Sequence, residues 1–235
     1  MITLALETST AAGSVALADE NGTLAESVEP EGLTHSKTMI PAVQRLLNQV
    51  GLSVEDLDLI AVTVGPGSFT GLRIGLSAAK GLAWAAGKPL VGVPSLDTLA
   101  QNLPPGSHQF CPMIDARKGE VYAALYKHDP DKIARRLTDF EAFKPKRLAA
   151  LIREKTVFFG DGARTWGEVL SDALGPLYLR ASQDLDFPRA SITARLGMSL
   201  FRQGAESNPA LILPVYVRPS EAELSLAARS KKAGE

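Results

Sequence analysis

The residues that could do chemistry in this chain are a few acids, hydroxyls and glycine turns. Glu7 ends an apolar, strand-like run at 2–6 and is followed by Thr8, Ser9, Thr10 and then Gly13. Asp115 ends a second such run at 110–114, with Gly119 close behind. A carboxylate followed by hydroxyls at a strand end can serve a loop that handles phosphate. The same hydroxyls can instead close a polar turn by bonding only within it. Gly160-Asp161-Gly162 follows the apolar run 156–159. Its N–H groups could meet an anion at a helix start, or simply turn the chain from strand to helix. Gly65-Pro66-Gly67-Ser68 offers the same two readings, and its spacing is not that of a P-loop.

Metal and nucleophile signals are poor. His35, His108 and His128 lie far apart, with no His-x-x-x-His pair on a helix face. Cys111 sits on an apolar run beside Phe110 and Met113, which suits a buried thiol better than a nucleophile. As a lone cysteine it excludes an internal disulfide and fits a reducing compartment. A net charge of −1 gives no global pull toward nucleic acid or anionic membrane. Lys144, Lys146, Arg147, Arg153 and Lys155 form a local basic cluster, and Arg229, Lys231 and Lys232 another. Both read as solvated surface. The apolar run 74–86 contains Lys80 and is too short for a bilayer, and Met1 leads straight into a strand. A soluble cytoplasmic protein is expected.

These residues must be positioned by a duplicated α/β framework. In the first half, strands are predicted at 2–6, 14–18 and 23–28, a helix at 35–50, a buried strand at 59–64, a helix at 69–86 and a strand at 89–93. The 69–86 helix has almost no polar face. Phe69, Leu72, Leu76, Ala79 and Ala83 form one stripe; Gly71, Gly75, Ala78, Leu82 and Ala85 form a small-residue stripe beside it. One stripe can take the sheet, and the other a close neighbour, internal or from another subunit. Pro104-Pro105-Gly106 is the best boundary, dividing 1–105 from 106–235. The second part echoes the first: strands at 110–114 and 121–126, a third within 133–140, a helix at 145–154, a strand at 156–159 and a helix at 164–173. A final helix at 191–203 and a tail are grouped with that second lobe.

Four segments carry a family resemblance: Leu4-Ala5-Leu6-Glu7-Thr8-Ser9-Thr10, Gly65-Pro66-Gly67-Ser68-Phe69-Thr70-Gly71-Leu72-Arg73-Ile74-Gly75, Asp115-Ala116-Arg117-Lys118-Gly119-Glu120-Val121-Tyr122 and Pro214-Val215-Tyr216-Val217-Arg218. Together they resemble the TsaB family of bacterial tRNA threonylcarbamoyladenosine biosynthesis. The resemblance implies two tandem lobes of the actin, sugar kinase and Hsp70 type (ribonuclease H-like). It also implies a non-catalytic partner of the transferase TsaD, working with the ATPase partner TsaE and reaching tRNA through the complex. In kinases of this fold, Glu7 and Asp115 would stand where acids work with Mg²⁺ and phosphate. Thr8, Ser9 and Thr10 would form the phosphate loop, and Gly160 and Gly162 the adenosine turn. The resemblance therefore admits weak ATP or ADP with Mg²⁺ at the complex interface, but no cofactor or metal of the chain's own. His35, Met39, Val43, Gly71, Arg73, Gly75, Ala78 and Leu82, on the two helices, are the expected TsaD interface. The same surface is expected to form a homodimer in the free protein. A small-molecule kinase or ATPase of the same fold is the alternative; a self-sufficient metallopeptidase is disfavoured by the histidines.

Overall fold

The computed structural model describes residues 1–218. The basic cluster at 229–232 lies outside the described residues. Two sheets are built on one plan. In the first, β1 (Thr3–Glu7), β2 (Gly13–Asp19), β3 (Gly22–Glu29), β4 (Leu59–Gly65) and β5 (Leu90–Pro94) take the order β3-β2-β1-β4-β5. The hairpin pairs are antiparallel, and β1/β4 and β4/β5 are parallel. In the second, β6 (Gln109–Arg117), β7 (Glu120–Ala123), β10 (Glu141–Phe143), β11 (Thr156–Phe159) and β12 (Tyr178–Arg180) repeat that order as β10-β7-β6-β11-β12. The duplicated α/β architecture expected from the sequence is therefore present in both halves.

The second half departs from the expected elements in several places, one being that the helix expected over 145–154 ends at Ala149. The run 121–126 is not one strand: β7 ends at Ala123, and β8 (Tyr126–His128) pairs with the opposite end of β6 at Phe110. Residues 133–140 do not supply the third strand. They give only β9 (Ala134–Arg136), which hairpins with β8, while β10 takes the third position. The fifth strand, β12, was not anticipated. It is three residues long and half-buried throughout, so it carries neither alternation nor an apolar run.

The first sheet is covered on both faces, which explains the continuous apolar reading of β4, buried at all seven positions. On one face lie α1 (His35–Val50) and α2 (Phe69–Ala86), which bury Met39, Val43, Leu46, Leu47, Leu76 and Ala79 against Leu4, Leu6, Val15 and Ile60. Both helices end on a left-handed glycine, Gly51 (φ 70°) and Gly87 (φ 63°). Pro41 falls inside α1, on its exposed side, where water can serve the carbonyl it leaves unbonded.

The opposite face is lined by alanines, and α6 (Ala190–Arg202) packs on it. A Cβ on Gly197 would fall 2.6 Å from that of Ala61, so the missing side chain sets the close approach. Glu26 on β3 accepts from Arg189 Nη2 at 2.7 Å and from the Ser191 N–H at 3.1 Å, pinning the start of α6. The terminal helix thus belongs with the first sheet rather than with the second lobe, because its small-residue face fits the alanine surface. The second sheet is covered by α4 (Pro145–Ala149) and α5 (Asp161–Leu174) on one face and by α3 (Ser95–Ala100) on the other. Among the described residues no helix is long and apolar enough to cross a membrane.

Candidate functional site

A cleft of about 460 Å³ opens between the lobes, bounded by Ser9, Thr10, His35, Ser68 and Phe69 on one side and Asp115, Arg117, Lys118, Tyr122 and Asp161 on the other. Several sequence-predicted site residues meet there: Ser9, Thr10, His35 and Asp115 line it directly. The sequence marks Asp161 only as the middle of a glycine turn, yet its carboxylate lines the cleft and accepts from the Asp115 N–H at 2.9 Å. Arg117 and Lys118 turn the chain from β6 to β7 with positive φ (61° and 53°), a conformation completed by Gly119 (79°). Their place at the cleft was marked in the sequence only by the Asp115–Tyr122 motif.

Glu7 and its hydroxyls do not form an open phosphate loop. Glu7, Thr8, Ser9 and Thr10 are at most 3% exposed. Ser9 donates to Glu7 Oε1 through both its N–H, at 2.7 Å, and its hydroxyl, and Thr63 Oγ1 adds a donor at 3.3 Å. The Thr8 hydroxyl donates to the Gly71 carbonyl at 2.9 Å, and that of Thr10 to the Ala12 carbonyl at 3.0 Å. All three hydroxyls are thus committed to the chain itself and fit poorly as free donors to a nucleotide phosphate. The turn at Gly160 and Gly162 fits no better. A Cβ on Gly160 would lie 2.0 Å from the Met113 carbonyl oxygen, and one on Gly162 3.1 Å from the backbone carbon of Ile114. These glycines seat α5 on β6, and the Gly160 N–H is taken by the buried Asp186 carboxylate at 2.8 Å.

The small-residue stripe of α2 meets that same loop. Cβ atoms at Gly67, Gly71 and Gly75 would fall 2.4 Å from Ser9 O, 2.1 Å from Thr8 O and 2.1 Å from Thr8 Oγ1. Gly71 and Gly75 are therefore internal packing positions rather than interface residues, and so are Met39 (1% exposed) and Val43 (3%). The reason is geometric: α1 and α2 lie side by side on the sheet, and the Glu7–Thr10 loop fills the space a subunit was expected to take. Of the remaining expected interface residues, Arg73 is exposed, while His35, Ala78 and Leu82 are half-buried. His35 Nε2 bonds to Thr10 O at 3.0 Å.

Glu7 has its carboxyl pushed up to about 7, chiefly by burial and partly by the nearby Asp161. Asp161 is pushed up to about 6, again chiefly by burial, with Asp115 adding to it. Protons are bound more tightly by the folded state at both sites, so their contribution favours the fold at low pH. That contribution is lost as pH rises from the ordinary carboxylate range through about 6 to 7. Glu7→Gln, which keeps the size and an acceptor, is expected to flatten the decline in unfolding temperature between about pH 4.5 and 7.5. Parallel declines in wild type and variant would remove Glu7 as its source. Burial alone pushes the Cys111 thiol far up, consistent with a structural role. Among the described residues no three His, Cys, Asp or Glu side chains are grouped to hold a metal.

Two tandem sheets of identical strand order around a cleft define a protein of the actin-like class. The activator of 2-hydroxyisocaproyl-CoA dehydratase from Clostridium difficile, solved with bound ADPNP, shares this fold at a TM-score of 0.50 and 12% identity, covering 87% of this chain and 97% of that one. The family model described as "TsaD: tRNA N6-adenosine threonylcarbamoyltransferase" matches residues 29–225. The tRNA threonylcarbamoyladenosine biosynthesis protein TsaB of Bacillus subtilis is 34% identical over 229 residues, 95% of this chain and 96% of that protein. The structure of YeaZ from Pseudomonas aeruginosa superposes with a TM-score of 0.77 at 31% identity, over 92% of this chain and 99% of that one. The chain belongs to the TsaB family, a branch of the wider family that the TsaD model describes.

Proposed function

We propose that this chain is a non-catalytic scaffold in tRNA threonylcarbamoyladenosine formation, docking the catalytic subunit TsaD on the outward face of α1 and α2. The observation that carries the reading is the apolar character of that face. Ile40 is 48% exposed and Phe69 38%, and a shallow groove of about 580 Å³ runs between Ser36, Phe69, Arg73, Ile74, Ser77 and Ala78. Exposed apolar side chains on both helices, with Phe69, Ile74 and Ala78 lining a groove among Ser36, Thr70, Arg73 and Ser77, favour a protein partner. The docking residues are thus the outer strip of each helix, in place of the inner strip now seen in the core. The same face would pair two copies of the free protein in a homodimer that TsaD displaces.

Transfer of the threonylcarbamoyl group is assigned to TsaD, with TsaE as the ATPase partner and tRNA contacted through the complex. The closed hydroxyl loop supports this division, as does the poor fit of Glu7 to phosphate. The purified chain alone is expected to transfer no threonylcarbamoyl group to tRNA. Addition of TsaD, TsaE and a supply of the threonylcarbamoyl adenylate should restore transfer. Robust transfer by the chain alone, with contamination excluded, would reject the scaffold reading. Titration calorimetry with ATP and Mg²⁺ should give a Kd of about 0.1 mM or weaker, ~5 kcal/mol of binding or less. Micromolar binding would favour a kinase or ATPase instead.

A further inference from the structure

The Pro214–Arg218 segment runs from the first sheet to the second lobe, bonding to Val64 at one end and Glu120 at the other. After α6 the chain doubles back along α2. The Leu90 N–H donates to Ser207 O at 3.0 Å, and Lys80 Nζ to Ala210 O at 3.3 Å. Ile212 is 7% exposed and joins the core beneath α2. The Val215 N–H then donates to Val64 O at 2.7 Å, at the C-terminal end of β4. Gly65 lies so close that a Cβ there would fall 2.6 Å from Val215 O.

At its end this segment touches two regions at once. The Tyr216 ring packs on Phe69 with centroids 5.1 Å apart. The Arg73 guanidinium lies 3.8 Å over the Phe69 ring, and its Nε donates to the Tyr216 hydroxyl at 3.0 Å. Two residues further on, Arg218 Nη1 donates to Glu120 Oε2 at 2.9 Å, on β7 of the second lobe. Arg218 also lines the cleft between the lobes.

We propose that residues 214–218 form a clasp that positions the Phe69–Arg73 corner of the TsaD-docking face and ties it to the arrangement of the lobes. This inference rests on the docking reading of α1 and α2. Phe69 and Arg73 stand on the first turns of α2, at the mouth of the groove, where unsupported long side chains would sample several rotamers. The ring contact with Phe69 and the hydroxyl's bond from Arg73 let Tyr216 order both beforehand, so a partner need not do so. Aromatic and arginine side chains are also the types that dominate interface energies. Tyr216 itself is 42% exposed, so it both supports the corner and adds to its surface. The link from Tyr216 to Arg218 is two residues, bent at Val217 and Arg218, and can reach at most roughly 7 Å, too short to absorb a large displacement. A change in lobe spacing would therefore reach Tyr216, and through it the docking face. Tyr216 and Arg218 act as positioning residues.

The test is affinity for purified TsaD from the same source, measured by calorimetry with Tyr216→Ala, Tyr216→Phe, Glu120→Lys and, as a control on docking itself, Ala78→Glu. Tyr216→Ala should weaken capture about tenfold or more, and Tyr216→Phe, which keeps the ring, should bind within about threefold of wild type. Glu120→Lys changes a residue outside the groove, on the other lobe. It should weaken capture about three- to tenfold and speed hydrogen exchange at the Val215 amide, with an unchanged circular dichroism spectrum. If Ala78→Glu abolishes capture while Tyr216→Ala and Glu120→Lys bind within about twofold of wild type, the clasp is rejected and the docking face stands. If Ala78→Glu binds as wild type does, the docking reading fails and the clasp with it. Should Tyr216→Ala not fold, the Tyr216→Phe and Glu120→Lys pair decides: full loss with the phenylalanine, or no change with the lysine, overturns the clasp.

Discussion

Gly71→Ala is expected to lower stability by about 3 kcal/mol, close to the upper end for overpacking a core. The added methyl would sit 2.1 Å from the Thr8 carbonyl oxygen, a backbone atom of a fully buried loop. Relief requires α2 to move outward by roughly 1 Å, against an interior that yields little. That movement would strain the 2.9 Å bond from Thr8 Oγ1 to the Gly71 carbonyl and the Ser68 cap on the Gly71 N–H. For a chain of this size the loss corresponds to a fall in unfolding temperature of roughly 6–12 °C. Gly81, on the exposed side of the same helix, has nothing within 4 Å of an added Cβ. Gly81→Ala should therefore stabilise by about 0.5–1 kcal/mol through helix propensity alone. Thermal unfolding of the two variants side by side checks the assignment. Equal effects would mean that the glycine stripe is not fixed by the Thr8 loop.

The second large effect concerns docking. Ala78 lies in the groove, half-buried among Ile74, Ser77 and the core cluster beneath α2. Ala78→Glu would place a carboxylate where a partner has to exclude water, and an unpaired charge at such a contact costs several kcal/mol. Loss of TsaD capture by about 100-fold or more is expected, near 3 kcal/mol, with circular dichroism unchanged. The free variant should also sediment as a monomer. Ser77→Glu, at a neighbouring exposed position, separates docking from folding if Ala78→Glu alters the core. A folded variant that still captures TsaD normally would move the interface elsewhere.

Much of the framework could be read from the sequence because its signals are local. The β-branched run of β4, the periodicity of α1 and α2 and the glycines that close both helices each depend on neighbouring residues. The duplication of the framework was readable because the second half repeats the acids and glycines of the first; the order of strands within each sheet was not. Contacts distant in sequence were not readable. Composition shows that Gly71 and Gly75 make a small face, but not that a loop more than 60 residues earlier occupies it. For the same reason the sequence does not separate a partner surface from the core at Met39 and Val43, whose periodicity suits both and which the structure buries. Glu7 and Asp115 were found from their strand ends, whereas the burial of Glu7 depends on the whole loop folding beneath α2. The destination of α6 likewise needs the alanine face of a sheet that closes far upstream.

The return of α6 to the first sheet bears on how the chain is made. A polypeptide that has emerged from the ribosome only to residue 105 contains all five strands of that sheet. It still lacks the cover for Ala5, Ala16, Ala61, Val91 and Val93. Those side chains stay in contact with water until residues 190–202 arrive, after the second lobe has been synthesised. The lobe that begins the chain is thus the last to be completed, and a fragment stopped near residue 105 is expected to bind hydrophobic dyes and be cut readily by protease. Resistance to protease in that fragment would show that the alanine face is stable uncovered.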